Sequence, residues 1–173
     1  MKPKLSYTIW FSQRTGNTLL YKALESTGIA GIPREWFNCP PDLLNTFRKA
    51  DHAELQEYLW TLGSTSNGVF GISHSLYEPH FSQLTETLRK FPACPPEETR
   101  RTKIWEHVFP NHKHIFMIRR NKVRLAVSWW KAIQTGEWHV STGEGRKQTD
   151  LSNAYSFAAI NHLQQQGVQI GGF

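Results

Sequence analysis

Cysteine is scarce. Cys39 and Cys94 are the two present; they stand far apart, each beside proline. That excludes a disulfide framework and a C-x-x-C metal pair, and it points to a reducing compartment. Long apolar runs are missing too, so no stretch has the length of a membrane-spanning helix. After Met1-Lys2-Pro3-Lys4 only a few apolar residues precede Ser12, too few for a secretory signal. The expectation is a soluble, cytoplasmic protein without membrane insertion. Negative charge is short, with 14 Asp and Glu against 20 Lys and Arg, a net charge of +6 and a pI near 9.5. Such a balance favours anionic partners: a nucleotide, a nucleic acid or an acidic membrane face. The apolar share, 39%, is low, but seven Trp and ten Phe supply large buried area.

One stretch organises the rest. Tyr7 to Phe11 is apolar and β-favouring. It ends in Ser12-Gln13-Arg14-Thr15-Gly16-Asn17-Thr18, and a helix-compatible run, Leu19 to Glu25, follows at once. Strand, tight polar turn with one Gly, then helix is the layout of an anion cradle, where backbone N–H groups and the helix dipole converge. Arg14 adds a permanent cation. A Walker A loop needs G-x-x-x-x-G-K-[ST]. Asn17 stands where its lysine would be, which disfavours an ordinary nucleoside triphosphatase. From local pattern alone, a turn capped by Ser12 or Thr15 is an equal alternative.

Taken in order, the pattern predicts a strand over about 7–11 and a helix over about 17–26 whose Leu19, Leu20, Ala23 and Leu24 pack against a sheet. Loops follow through Gly31–Phe37 and Asn38–Pro41. A helix over 53–62 is capped by Asp51 and stopped by Gly63. Val69–Ile72 reads as a short buried strand. A helix runs from Pro79 to Arg89, 93–103 is irregular, and Ile104–Val108 makes one helical turn. His114–Ile118 is a second strong strand, and Val123–Ile133 a helix. A polar loop spans 135–150. Ser152 caps a last helix over 153–166, broken by Gly167. Strands alternating with helices argue for one three-layer α/β domain with a mostly parallel sheet.

Arg119 and Arg120 close the second strand just before a helix, where their charge opposes the dipole. An anion there would relieve the conflict. Parallel sheets bind ligands at the carboxyl ends of their strands, so Arg14 and Arg119/Arg120 are expected at one edge, suiting a ligand with two separated anionic groups. His107, His112 and His114 suggest a metal only weakly, because no acidic or Cys partner accompanies them. Trp129, Trp130 and Trp138 fit core packing at helical spacing better than base stacking.

Ser12-Gln13-Arg14-Thr15-Gly16-Asn17-Thr18 resembles the 5′-phosphosulfate loop of sulfotransferases that use 3′-phosphoadenosine 5′-phosphosulfate (PAPS). Pro33-Arg34-Glu35-Trp36-Phe37 and Ala126-Val127-Ser128-Trp129-Trp130-Lys131-Ala132 are similar to two further motifs of the bacterial trehalose 2-sulfotransferase family. The resemblance spans roughly residues 6–165 and implies a P-loop-like fold. It implies that Gln13, Arg14 and the backbone N–H groups of Thr15, Gly16, Asn17 and Thr18 hold the 5′-phosphosulfate. Arg119 and Ser128 would hold the 3′-phosphate, with Arg120 as the alternative to Arg119. Glu35 would be the general base, Arg14 would stabilise charge on the leaving oxygen, and Trp36 and Phe37 would form a platform for a sugar face. PAPS is the implied donor, a carbohydrate such as trehalose the acceptor, and a homodimer the assembly; no metal and no nucleic acid are implied.

The chain departs from that pattern in places. Asn17 replaces a small hydroxyl residue, Asn121 an Asp and Leu125 a Gln. After the strand beginning at Val69, Gly71-Ile72-Ser73-His74 replaces a usual Gly-x-Lys. Family members run longer, so a single sulfotransferase-like domain, 1–173, lacking its C-terminal portion is expected. A non-catalytic remnant that binds nucleotide or a protein partner is the alternative reading.

Overall fold

The computed structural model describes residues 2–37, 51–78, 80–138 and 149–170. The expected loop at 38–41, Cys39, Pro79, most of the polar loop at 135–150 with Arg146 and Lys147, and the end of the tail lie outside the described residues. The chain divides into two units: one holds Met1–Phe11 and Gly16–Met117, the other Ser12–Thr15 and Ile118–Phe173.

The first unit is built on a parallel sheet of order β2-β1-β3. Strand β1 (Leu5–Phe11) lies between β2 (Val69–Ser75) and β3 (His112–Met117), in register Leu5↔Val69 and Ser6↔His112. Every residue of β1 after Leu5 is buried, as expected of a central parallel strand rich in aromatic and β-branched residues. The chain leaves β1 for β2 on one side and then crosses to β3 on the other. That reversal beside β1 is the switch point where such sheets bind ligands. Because Phe11 pairs with Met117, the segments following β1 and β3 depart from the same end of the sheet.

Helix α1 (Asn17–Ser26) follows the turn after β1, α2 (His52–Gly63) precedes β2, and α3 (His80–Arg89) and α4 (Arg101–Val108) separate β2 from β3. Asp51 caps α2 by accepting from the Glu54 N–H at 2.8 Å. The core gathers Trp10, Leu59, Phe70, Ile72, Leu88, Trp105 and Phe109. Trp10 meets Trp105 edge-on at 4.7 Å, and Phe70 stacks on Phe109 at 5.1 Å. The apolar face expected of α1 is not buried as a unit: Leu19 is 78% exposed. Gly31 (φ +74) and Gly71 mark a close backbone approach. A Cβ on Gly31 would sit 2.7 Å from the Gly71 nitrogen, and one on Gly71 would meet Pro33 and the Tyr7 hydroxyl at 2.8 Å.

In the second unit, α5 (Lys122–Thr135) and α6 (Phe157–Ile170) pack through Leu125, Ala126, Trp129, Trp130 and Leu163. Trp129 and Trp130 are core residues, as their spacing suggests, whereas Trp138, expected to pack with them, lies past the end of the helix and is exposed. A short 3-10 turn, Ser152–Ala154, precedes α6. The expectation that Gly167 ends this helix is corrected: the helix continues to Ile170. Gly167 is buried in it, and a Cβ there would lie 3.0 Å from Leu125. The Gly167 carbonyl accepts from Lys122 Nζ at 3.0 Å.

Candidate active site

The turn after β1 is shaped by its backbone. Arg14 takes φ 63, left-handed and costly for a residue with a Cβ. Thr15 Oγ1 donates to the Ser12 carbonyl at 2.8 Å instead of capping the helix. Gly16, at φ 95, is the N-cap of α1, and with no side chain it caps nothing. The alternative of a turn capped by Ser12 or Thr15 is therefore not what forms.

Within the second unit Arg14 is held from three sides. Its Nε donates to Ser128 Oγ at 3.0 Å, its Nη1 donates to the Trp138 carbonyl, and its own carbonyl accepts from Arg119 Nη1 at 3.1 Å. Ser128 stands on α5, whose N-terminus is capped by Asn121 Oδ1 accepting from the Arg124 N–H at 2.9 Å. Asn is as good an N-cap residue as Asp. Arg14, Arg119 and Ser128 line a cavity of about 430 Å³ together with Arg124, Lys131 and Glu137. Val123, Val127, Ala132 and Leu151 supply an apolar wall. Among the described residues, four cations and one carboxylate line it with an apolar side, which suits a ligand carrying anionic groups and a flat apolar body. Arg120 is exposed and does not line the cavity. Sequence reasoning missed Arg124, Lys131 and Glu137. The signal for the first two was helical phase, since both share the face of α5 that carries Ser128.

The first unit carries Glu35. Its carboxylate oxygen Oε1 accepts from Asn17 Nδ2 at 2.9 Å. The backbone before it is anchored: Ile32 N–H donates to the Gly63 carbonyl at 2.8 Å, and the Arg34 carbonyl accepts from the Ser73 N–H at 3.0 Å. Arg34 turns away to pair with Glu25. Trp36 donates its indole N–H to the Ile32 carbonyl at 3.0 Å, and Trp36 and Phe37 pack half-buried against the core. Phe37 meets the buried His74 edge-on at 6.4 Å. Thr18 is half-buried in the first turn of α1, and Gln13 half-buried in the turn of the second unit.

The histidines of β3 serve structure. Ser6 Oγ donates to the Pro110 carbonyl at 2.6 Å, so it accepts from His112 Nδ1–H at 3.0 Å, and His112 Nε2 accepts from Thr8 Oγ1 at 2.9 Å. Trp10 Nε1 donates to His114 Nδ1 at 2.9 Å. Burial, with the neighbouring His114 second, pushes the His112 pKa down to about 3, and burial also lowers that of His114. Among the described residues no group of three or more His, Cys, Asp or Glu could hold a metal ion, and no helix is long and apolar enough to cross a membrane.

Two curated relatives carry the name trehalose 2-sulfotransferase. The one from Mycolicibacterium smegmatis is 28% identical over 184 residues, covering 91% of this chain and 67% of its own length. The one from Mycobacterium tuberculosis is 27% identical over 183 residues, covering 91% of this chain and 66% of its own length. The chain thus spans about two thirds of each relative. A family model described as Stf0 sulphotransferase matches residues 6–167, a stretch that takes in the Arg14 turn, Glu35 and the Ser128 helix. The chain belongs to the Stf0 sulphotransferase family.

Proposed function

We propose that this chain binds PAPS and moves its sulfuryl group to a carbohydrate hydroxyl, with a trehalose-like sugar as acceptor. The observation that carries the reading is the cationic cavity of the second unit, in which Arg14 is fixed by Ser128 and Arg119 supports its backbone. The residues fit the donor: Arg119 and Ser128 suit its 3′-phosphate, Arg14 its 5′-phosphosulfate, and the valine-lined wall its adenine. The donor supplies an activated sulfuryl group on a phosphate leaving group. Arg14, with the N–H groups of Thr15 to Thr18, stabilises the charge that grows on the bridging oxygen as the S–O bond breaks. Such preorganised donors need no rearrangement during reaction. Glu35 takes the proton of the acceptor hydroxyl as its oxygen bonds to sulfur. Trp36 and Phe37 offer an apolar face to the sugar ring. The likeness to two trehalose 2-sulfotransferases supports the acceptor class.

Calorimetry with the product nucleotide, 3′-phosphoadenosine 5′-phosphate (PAP), tests the cavity: binding is expected in the wild type and lost in Arg14→Ala. Transfer from sulfur-labelled PAPS to trehalose tests the chemistry, with Glu35→Gln expected to abolish it. Nucleotide binding without transfer would favour the alternative of a non-catalytic remnant. No binding at all would overturn the reading.

A further inference from the structure

Asn17 is the first residue of α1, and only 7% of it is exposed. Its backbone is part of the helix start, yet its side chain does not serve the helix. The amide reaches Glu35 instead, donating from Nδ2 to Oε1 at 2.9 Å. The two partners are positioned independently. Asn17 is set by the left-handed Gly16 before it. Glu35 is set by the bonds of Ile32 and Arg34 to the Gly63 carbonyl and the Ser73 N–H. This side-chain bond joins two separately anchored segments and restricts the rotation of the carboxylate, which the backbone anchors do not.

We infer that Asn17 is a positioning residue for Glu35, its side-chain amide holding the carboxylate in the orientation from which it acts. This rests on the reading of Glu35 as general base. A Ser or Thr hydroxyl at position 17 would end one bond nearer the backbone, so the longer amide makes a link that a hydroxyl is less able to make. An amide is also chemically apt. It donates to a carboxylate but does not titrate near neutral pH, so the acceptor's proton passes to Glu35 and Asn17 exchanges none. Asn17 therefore has two separable parts: a backbone N–H that the proposed function assigns to the donor, and a side chain that bonds the candidate base.

That separation makes the test. In ¹⁵N-labelled protein the Asn17 side-chain amide pair is the one missing from Asn17→Ala, and it is expected to shift in Glu35→Ala. An unmoved pair overturns the inference whether or not the enzyme is active. In kinetics, Asn17→Ala is expected to lower kcat roughly tenfold. PAP affinity should stay within about twofold, because the alanine keeps the backbone N–H. Asn17→Asp, equal in shape but acceptor-only, should fare no better than alanine. A wild-type kcat in Asn17→Ala, or an equal fall in kcat and PAP affinity, would also overturn it. Failure of the wild type to transfer sulfuryl would instead sink the functional reading, leaving the amide shift to decide this one.

Discussion

Arg14 combines an unfavourable backbone with a side chain held at two of its nitrogens. A left-handed φ on a non-glycine residue costs on the order of 1–3 kcal/mol, and the turn keeps it because Nε and Nη1 are both fixed, to Ser128 and to the Trp138 carbonyl. Lysine preserves the charge but has no fork with which to make both bonds. Arg14→Lys is therefore expected to weaken PAP binding by about tenfold or more, measured by calorimetry. The neighbouring arginines differ in a similar way. Arg119 lines the cavity and holds the Arg14 carbonyl, while Arg120 is exposed outside it. Arg119→Ala should lose PAP affinity by about tenfold, and Arg120→Ala should stay within about twofold of wild type. Equal losses would reassign the 3′-phosphate contact.

The pairing of β1 with β3 makes stability depend on pH. His112 is held neutral between Ser6 and Thr8, with its pKa pushed down to about 3 by burial. The unfolded chain accepts this proton near pH 6.5 and the folded chain does not. The contribution is thus complete above about pH 6.5 and is lost as pH falls towards 3, at roughly 1.4 kcal/mol per unit. His114, lowered by burial, acts in the same direction. Denaturant unfolding is expected to show a loss of roughly 3 kcal/mol between about pH 7 and pH 4 from His112 alone. His112→Asn should flatten that slope, whatever its effect on absolute stability. At this scale the sequence was legible where local signals were strong. Residues 7–11, the helix Asn17–Ser26 and the strand before Arg119 declare themselves by apolar runs and glycine punctuation. The end of the last helix was not legible, because the contact of Gly167 with Leu125 outweighs glycine's low helix propensity. The exposure of Leu19 was not legible either, since an apolar stripe does not say what covers it. Arg14, Arg119 and Ser128 could be singled out as candidates from charge and motif, and the fold brings them together. The Asn17–Glu35 bond could not, because it depends on two segments meeting only in the fold.

The chain passes between its two units three times, after Phe11, after Thr15 and after Met117. The short segment Ser12–Thr15 leaves the strand of one unit, joins the other, and returns to begin α1. Each unit has its own core, so the cations of the cavity and the candidate base rest on separate packing. The molecule as a whole carries +6, and the exposed part of that charge attracts an anionic ligand at long range. PAP affinity should therefore fall severalfold as ionic strength rises from about 0.05 to about 0.5 M, where the screening length shrinks to a few ångströms. A salt-independent affinity would mean that the nucleotide is bound chiefly by its base.

The close approach of Gly31 to Gly71 has a consequence for how this sequence tolerates change. In a saturation library the two positions would behave as one, though they lie far apart in the chain. Alanine at Gly31 collides with backbone, and alanine at Gly71 with Pro33 and Tyr7. Neither neighbour is the yielding end of a flexible side chain, so enlarging one position is not compensated by any change at the other. What such variants would displace first is the segment leading to Glu35. Chains drifting at either glycine would be filtered together, and the pair would read as one constraint although each glycine is required by packing alone.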